Sequence, residues 1–327
     1  MIMAGFNTGV LTRKMFEYID PRVITPARGA RLGRTLFQID DKPKTWDDTY
    51  KYYWKERMGQ ASDVVDRATD LTTVDVTYHE ELGFITQKGS ALEYSDEEIE
   101  RAQQGDLDIL GDKTQAANDA LADWEDRLIF NGNDDSQKPI YGLTSDPDKA
   151  GFQVADDAPV TFDKIVDPSN TDPYNDANKL INWFIDAGNM IKFLPGKSNA
   201  QLVLALPQRE YSLLTRPYNK YSTSDTILSM VQDTKHNGAN AVFSKIVPVP
   251  ELSAEFWNTQ KGAAGKKDCG MIFINDQDTA DIKVAMNPAR FGRVEYTDGK
   301  TKIKYMERTG GLCIKFPAGF VRLNGIN

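Results

Sequence analysis

The chain has 327 residues, of which 40% are hydrophobic and 27% charged, a composition that disfavours disordered, collagen-like and membrane-spanning classes and leaves room for one domain or two. Its net charge of −9 argues against a reader of duplex DNA, which needs concentrated Lys and Arg, although a local basic patch leaves single-strand binding open. Cys269 and Cys313, the only cysteines, are too few for a disulfide framework or a thiolate metal site; with no signal-peptide h-region and no long apolar run, a protein made and kept in the cytoplasm is expected.

Residues 1–36 contain a short helical phrase, KMFEYID, then Pro21, Pro26 and the run PARGARLGR. Repeated Pro and Gly make this an extended basic arm, either solvated or laid on another subunit. Residues 46–55 alternate, with Trp46, Asp48, Tyr50, Tyr52 and Trp54 on one side and Thr49, Lys51, Tyr53 and Lys55 on the other. A second alternating run follows at 72–88, and the polar segment 58–71 lies between them. Together they predict one long hairpin. Two strands are marginal by themselves in water, so the exposed aromatics require either a larger sheet in the same chain or the surface of a neighbouring molecule.

Residues 95–104, SDEEIERAQQ, carry Ser95 and Glu98 at capping-box spacing and predict a short helix. A long helix is expected over 112–131, opened by Asp112 with Gln115 and stopped by Asn131-Gly132. Thr114, Ala117, Leu121, Trp124 and Leu128 form its apolar stripe, and Asp119, Asp123, Asp126 and Arg127 its polar face. Residues 134–174 read as loops with one short strand near 152–154. A second amphipathic helix is expected over 176–192, ended by Pro195-Gly196. Beyond it the order is strand (200–206), helix (209–215), helix (224–234), strand (241–249) and strand (270–275), with a Gly- and Lys-rich loop over 251–267. Strands close the chain at 282–286, 291–296, 301–307 and 312–323, the middle two joined by the turn Asp298-Gly299.

Chemistry finds little support. His79 and His236 are the only histidines, His79 on the polar face of a strand and His236 in a turn, which leaves little room for a triad or a His-based zinc site. The segment GAAGKK at 262–267 lacks the spacing of a phosphate-binding loop, and Trp124 and Trp183 lie on or beside apolar helical faces and read as core. No catalytic, cofactor-binding or metal residue is assigned, and an enzyme is not expected. What stands out is architectural: an arm, a projecting hairpin, a long helix and a glycine-rich loop, all suited to contacts between copies.

The phrase ADWEDRLIFNG (122–132) followed by YGLTS (141–145), and the closing MERTGGLCIKFPAGFVRLNGI (306–326), resemble the major capsid proteins of tailed bacteriophages, whose Johnson fold is shared with encapsulins. The resemblance covers nearly the whole chain and implies an α+β fold with an N-arm at 1–36 and an extended β-hairpin loop at 37–93. A peripheral domain is implied at 94–196 and 288–327, with the spine helix at 112–131, and an axial domain at 197–287. It further implies self-assembly into pentamers and hexamers of an icosahedral shell enclosing double-stranded DNA, with a cargo-enclosing, encapsulin-like compartment as the alternative. Contacts between subunits are expected from Arg28 and Arg31 on the N-arm. On the extended loop they are expected from Trp46, Tyr50, Tyr52, Trp54, Arg57, Asp63, Asp66 and Arg67. Glu251, Phe256, Trp257, Lys261 and Lys266 would sit on the axial-domain loop. The partners implied are other copies of the chain, together with scaffolding, portal and decoration proteins and packaged DNA held without specific grip; no membrane is involved. The place implied is the virion, with assembly in the host cytoplasm. Because the chain starts close to the N-arm, any scaffold is expected to be a separate protein.

Overall fold

Beyond Asn131 the chain turns sharply, and glycine is the reason. Gly132 has φ +67°, and a Cβ there would stand 2.2 Å from the Ile140 carbonyl oxygen. The following loop folds back on the helix end: Asn133 donates through its amide N–H to Ile140 O at 2.9 Å, and Thr144 N–H to Phe130 O at 2.8 Å. Gly142 lets this return pass, since its Cβ position lies 2.5 Å from the Phe130 carbonyl oxygen. The long helix so terminated is Ile109–Asn131 in the computed structural model, which describes residues 32–59, 73–105, 109–133, 135–165, 167, 169–219, 222–232, 242–255 and 267–326. All of them belong to one unit, Arg31–Asn327.

The helix begins three residues earlier than expected, so Asp112 lies in its first turn, where a carboxylate favours the positive end of the helix dipole, rather than at the cap. Ala117, Leu121, Leu128, Ile129 and Phe130 are buried, while Trp124 is half-buried and lines a cleft of about 440 Å³ with Lys88, Arg127 and Asn131. Asp126, expected on the polar face, is buried instead, as is Glu125.

Two sheets flank this helix. The first has the order β1-β11-β12-β4, from β1 (Gln38–Asp40), β4 (Thr86–Ser95), β11 (Ala280–Thr297) and β12 (Lys300–Ile314). Only the β1–β11 pair is parallel. β11 and β12 meet at Asp298 and Gly299, with φ 52° and 71°, the two left-handed residues a tight hairpin turn requires. Each of these strands was expected as two pieces. They run unbroken because register shifts, from Lys283 to Glu295, absorb Pro288 and the irregular alternation as β-bulges. Short helix Asp96–Gly105 opens as expected, Ser95 Oγ accepting from Glu98 N–H at 3.2 Å and Glu98 accepting from Ser95 N–H at 3.3 Å.

The second sheet has the order β5-β13-β10-β6-β9, built from β5 (Gln153–Val154), β6 (Leu202–Leu206), β9 (Phe243–Pro248), β10 (Gly270–Ile274) and β13 (Phe320–Leu323). Every residue of β6 and β10 is buried because both faces are covered. Leu202, Leu204, Ile272 and Ile274 pack toward helix Pro173–Lys192, and Val203, Ala205, Met271 and Phe273 toward the end of the long helix. That second helix starts at Pro173, behind Asp172, which caps Asn175 N–H at 3.2 Å, and buries one face through Ala177, Leu180, Ile181, Phe184, Ala187 and Ile191. The strand expected over 312–323 splits at the turn Pro317–Gly319. Strands β7 (Pro217–Asn219) and β8 (Ser222–Thr226) form a hairpin the sequence reading missed, and the helix after them starts at Ile227, where Thr226 and Ser229 cap each other.

Hydrogen-bonded ladders run across the positions 197 and 287. The second sheet joins β5 and β13, from the expected peripheral segments, to β6, β9 and β10 by shared hydrogen-bonded ladders, and β11 passes through residue 287 without a break.

Candidate interaction surface

Strands β2 (Thr49–Met58) and β3 (Asp75–Phe84) pair antiparallel over ten residues each, and among the described residues their sheet has no third strand. Of the expected extended loop, only this hairpin stands apart, since β1 and β4 belong to the first sheet. Alternation gives it two faces. One carries Tyr50, Tyr52, Trp54, Glu56 and Met58 opposite Gly83, Glu81, His79, Thr77 and Asp75; the other carries Lys51, Tyr53, Lys55 and Arg57 opposite Leu82, Glu80, Tyr78 and Val76. Tyr78 is 71% exposed and Tyr53 65%, unusual for side chains with so much apolar area.

The hairpin is anchored at its root. Tyr50 fits a slot made by two glycines: a Cβ at Gly83 would meet its ring at 2.1 Å and one at Gly310 at 2.9 Å. Burial, with the Cys313 thiol beside it, drives the Tyr50 phenol far above its ordinary pKa. Tyr52, half-buried, is pushed up to about 12 for the same first cause, and it donates to Ile314 O at 3.2 Å. Cys313 is pushed up to about 11 by burial, so it is an inert thiol. Replacing Tyr50 by Ala is expected to cost about 2–3 kcal/mol, less than a fully buried ring, and to speed amide exchange in β2 and β3 while leaving helix Pro173–Lys192 protected. Unchanged exchange in the two strands would refute the anchor.

Three clusters of charge hold the root and the residues before it. Lys283 reaches Asp40 at 2.5 Å and Asp281 at 3.0 Å, and Lys315 reaches Asp281 at 2.8 Å. Burial alone would lower the Lys283 pKa, but hydrogen bonds to both carboxylates outweigh it and the pKa is raised. Arg34 pairs with Glu125 at 2.6 Å and with Glu307 at 3.4 Å, next to Gly33, whose N–H donates to Asp126 at 2.8 Å. Arg308, nearly buried, donates to Asp48 at 2.5 Å and lies 5.3 Å over the Trp46 ring.

Of the residues expected to make contacts between subunits, Trp46 is 62% exposed and meets Phe291 edge-on at 6.0 Å, Tyr50 and Tyr52 form the root, and Trp54 and Arg57 lie exposed farther along β2. Glu251 differs from the rest: it is 7% exposed, in the turn Pro250–Leu252, and burial followed by the Asp126 charge pushes its pKa up to about 7. It therefore roots the loop instead of lining its surface. Arg28, Arg31, Asp63, Asp66, Arg67, Phe256, Trp257, Lys261 and Lys266 lie outside the described residues, as do His236 and nearly all of the GAAGKK segment. His79 stacks on Trp54 at 4.0 Å. Among the described residues, no cluster of three or more metal-ligating side chains occurs.

Residues 59–326 match the family model described as major capsid protein. The chain belongs to the major capsid protein family. Family membership makes it a subunit of a multimeric phage capsid, which is a structural role and not an enzyme class. Its α+β fold is shared with the capsid of Myoviridae phage XM1, at 11% identity over 97% of this chain and 99% of that one, with a TM-score of 0.71. Mycobacterium phage Adephagia gives 11% identity, 98% coverage of each chain and 0.61. A virus-like particle from Pyrococcus furiosus gives 12% identity over 88% of this chain and 90% of that one, at 0.50. No curated protein matches the chain. Among the described residues, no helix is long and apolar enough to cross a membrane.

Proposed function

We propose that the chain assembles through its hairpin into pentamers and hexamers of a closed icosahedral shell around double-stranded DNA, in virions put together in the host cytoplasm. The observation that carries this reading is the hairpin itself: a two-stranded sheet with large exposed aromatics, firmly rooted yet uncovered, gains its stabilising contact when it lies over a neighbour. In this reading residues 1–36 act as the N-arm, and residues 256–266 stand near the capsomere axis. Scaffolding, portal and decoration proteins are its further partners, and it has no catalytic activity. The net charge of −9 suits a container that must not grip the DNA packed in it.

Expressed alone and examined by size-exclusion chromatography and negative-stain microscopy, with a scaffold candidate added if needed, the chain should give rings or closed shells. Deleting residues 58–71 should leave a soluble subunit that closes none. Normal shells from the deletion would falsify the role given to the hairpin. The contents separate a genome container from a compartment enclosing cargo enzyme; the higher structural similarity to phage XM1 than to the Pyrococcus particle favours the first.

A further inference from the structure

We propose that the acid- and tryptophan-bearing face of one subunit's hairpin seats on the lysine-bearing sheet face of a second copy of the chain, an inference that rests on the shell-forming reading above. On β4, Ser90 donates to the Ala117 carbonyl of the long helix at 3.1 Å and Leu92 is buried, so the even-numbered residues of this strand face the helix. Register and alternation then put Lys300, Lys302 and Lys304 of β12 on the opposite face, level with Glu93 and Phe291. Lys300 pairs with Glu93 at 3.1 Å and Lys304 with Glu295, as residues sharing a face must. Both pairs are well exposed and contribute little within the chain, and Lys302 adds a further positive charge between them.

The hairpin springs from this same sheet face. Arg308, in phase with Lys304 along β12, reaches Asp48 and the Trp46 ring just before β2 begins. Tyr50 and Tyr52 pack against the chain at the root, and alternation continues their side of the hairpin outward through Trp54, Glu56 and Met58, with Asp75 opposite Met58. Trp54 and Met58 are exposed there. One face thus runs past its own sheet carrying apolar area and two carboxylates, while the sheet face runs past Trp46 carrying lysines and Phe291. Bringing the first onto the second in a neighbouring copy opposes charges of unlike sign and lays Trp54 and Met58 on lysine stems. The other hairpin face carries Lys51, Lys55 and Arg57 against one carboxylate, Glu80, which Lys51 already pairs, so its net positive charge would meet the lysines with like sign and favours the first face for docking.

The test reverses each side separately and then together. Glu56→Lys with Asp75→Lys, and Lys302→Glu with Lys304→Glu, should each lower the yield of sedimenting shells about ten-fold or more, and combining all four should restore it to within about three-fold. These side chains lie on the surface, and unchanged thermal unfolding of each unassembled variant will show that it folds. Independently, Glu56→Cys combined with Lys302→Cys should, on oxidation of assembled shells, give a ladder of disulfide-linked subunits up to rings on a non-reducing gel. Normal shells from either double reversal, loss without rescue by the quadruple variant, or shells without a ladder each overturns the seating and leaves the shell-forming reading standing. If the wild-type chain forms neither rings nor shells with its scaffold, that reading fails and this inference falls with it.

Discussion

Lys283→Met should lower the stability of the unassembled subunit by about 3–5 kcal/mol, seen as a fall of roughly 10 °C in its thermal midpoint. Lys283 and Asp40 are direct partners across the parallel β1–β11 pair, both side chains are 10% exposed, and Asp281 on the same side is fully buried. Methionine fills similar volume but withdraws the ammonium, leaving Asp40 with the Lys42 backbone N–H and Asp281 with Lys315. Adding Asp40→Asn should recover part of the loss, because removing both partners of a buried pair is milder than removing one. The loss should also be flat between about pH 5 and pH 9. Asp40 has its pKa lowered: burial pulls upward, but the Lys283 hydrogen bond wins, so its contribution is complete above the ordinary carboxylate value and disappears only as pH falls below it. Lys283 has its pKa raised, so its contribution persists until pH rises past the ordinary lysine value. Calorimetry of the two variants across that range decides it; a midpoint within about 2 °C of wild type would show that the cluster is not structural.

This cluster marks where sequence reading stops. Elements specified by neighbours in the chain were legible: the Ser95–Glu98 cap, the stop at Gly132 and the turn at Asp298-Gly299 each depend on residues within a few positions. The hairpin was legible too, because alternation needs no distant partner. Glu125 and Asp126 were not. Periodicity places charge on the solvent side of a helix, and nothing near them indicates partners 91 and 93 residues away at Arg34 and Gly33. Lys283 likewise sits in an apolar run whose meaning depends on Asp40, 243 residues earlier. The membership of the second sheet was not legible for a related reason: β5 and β13 are short, and only the distant ladder through β10 makes them part of it. Of the residues expected to touch a neighbour, alternation placed Tyr50, Tyr52 and Trp54 on one side of the hairpin, as the register does, whereas the burial of Glu251 beside the long helix cannot be read from ELSAEF.

A second buried carboxylate should make the subunit more stable in mild acid than in base. Glu210 is 2% exposed, in helix Gln208–Leu213, and burial first, then the charge of Asp268, push its pKa up to about 7, against the pull of its own backbone N–H and of Arg209. Asp268 is held in place by accepting from Ala254 N–H at 2.5 Å. Glu251 is pushed the same way, also to about 7. The folded chain therefore binds these protons more tightly than the unfolded one, whose glutamates keep an ordinary pKa of 4.5. The stability they contribute is complete below that ordinary value, falls as pH rises through about 7, and is then gone, a loss on the order of 3 kcal/mol for Glu210 at 1.36 kcal/mol per pH unit. Glu210→Gln, neutral at every pH and nearly isosteric, should leave the midpoint at pH 5 within about 2 °C of wild type but raise it by roughly 5–8 °C at pH 8. Adding Glu251→Gln should flatten most of the remaining slope. The opposite result, a Glu210→Gln subunit no more stable at pH 8 than wild type, would mean that Glu210 is ionised and well solvated there. Because Glu251 lies just before residues 256–266, the segment proposed to face the capsomere axis, the pH profile of shell assembly is expected to shift in the Glu210→Gln, Glu251→Gln variant in a way the pH-flat Lys283 variant does not reproduce.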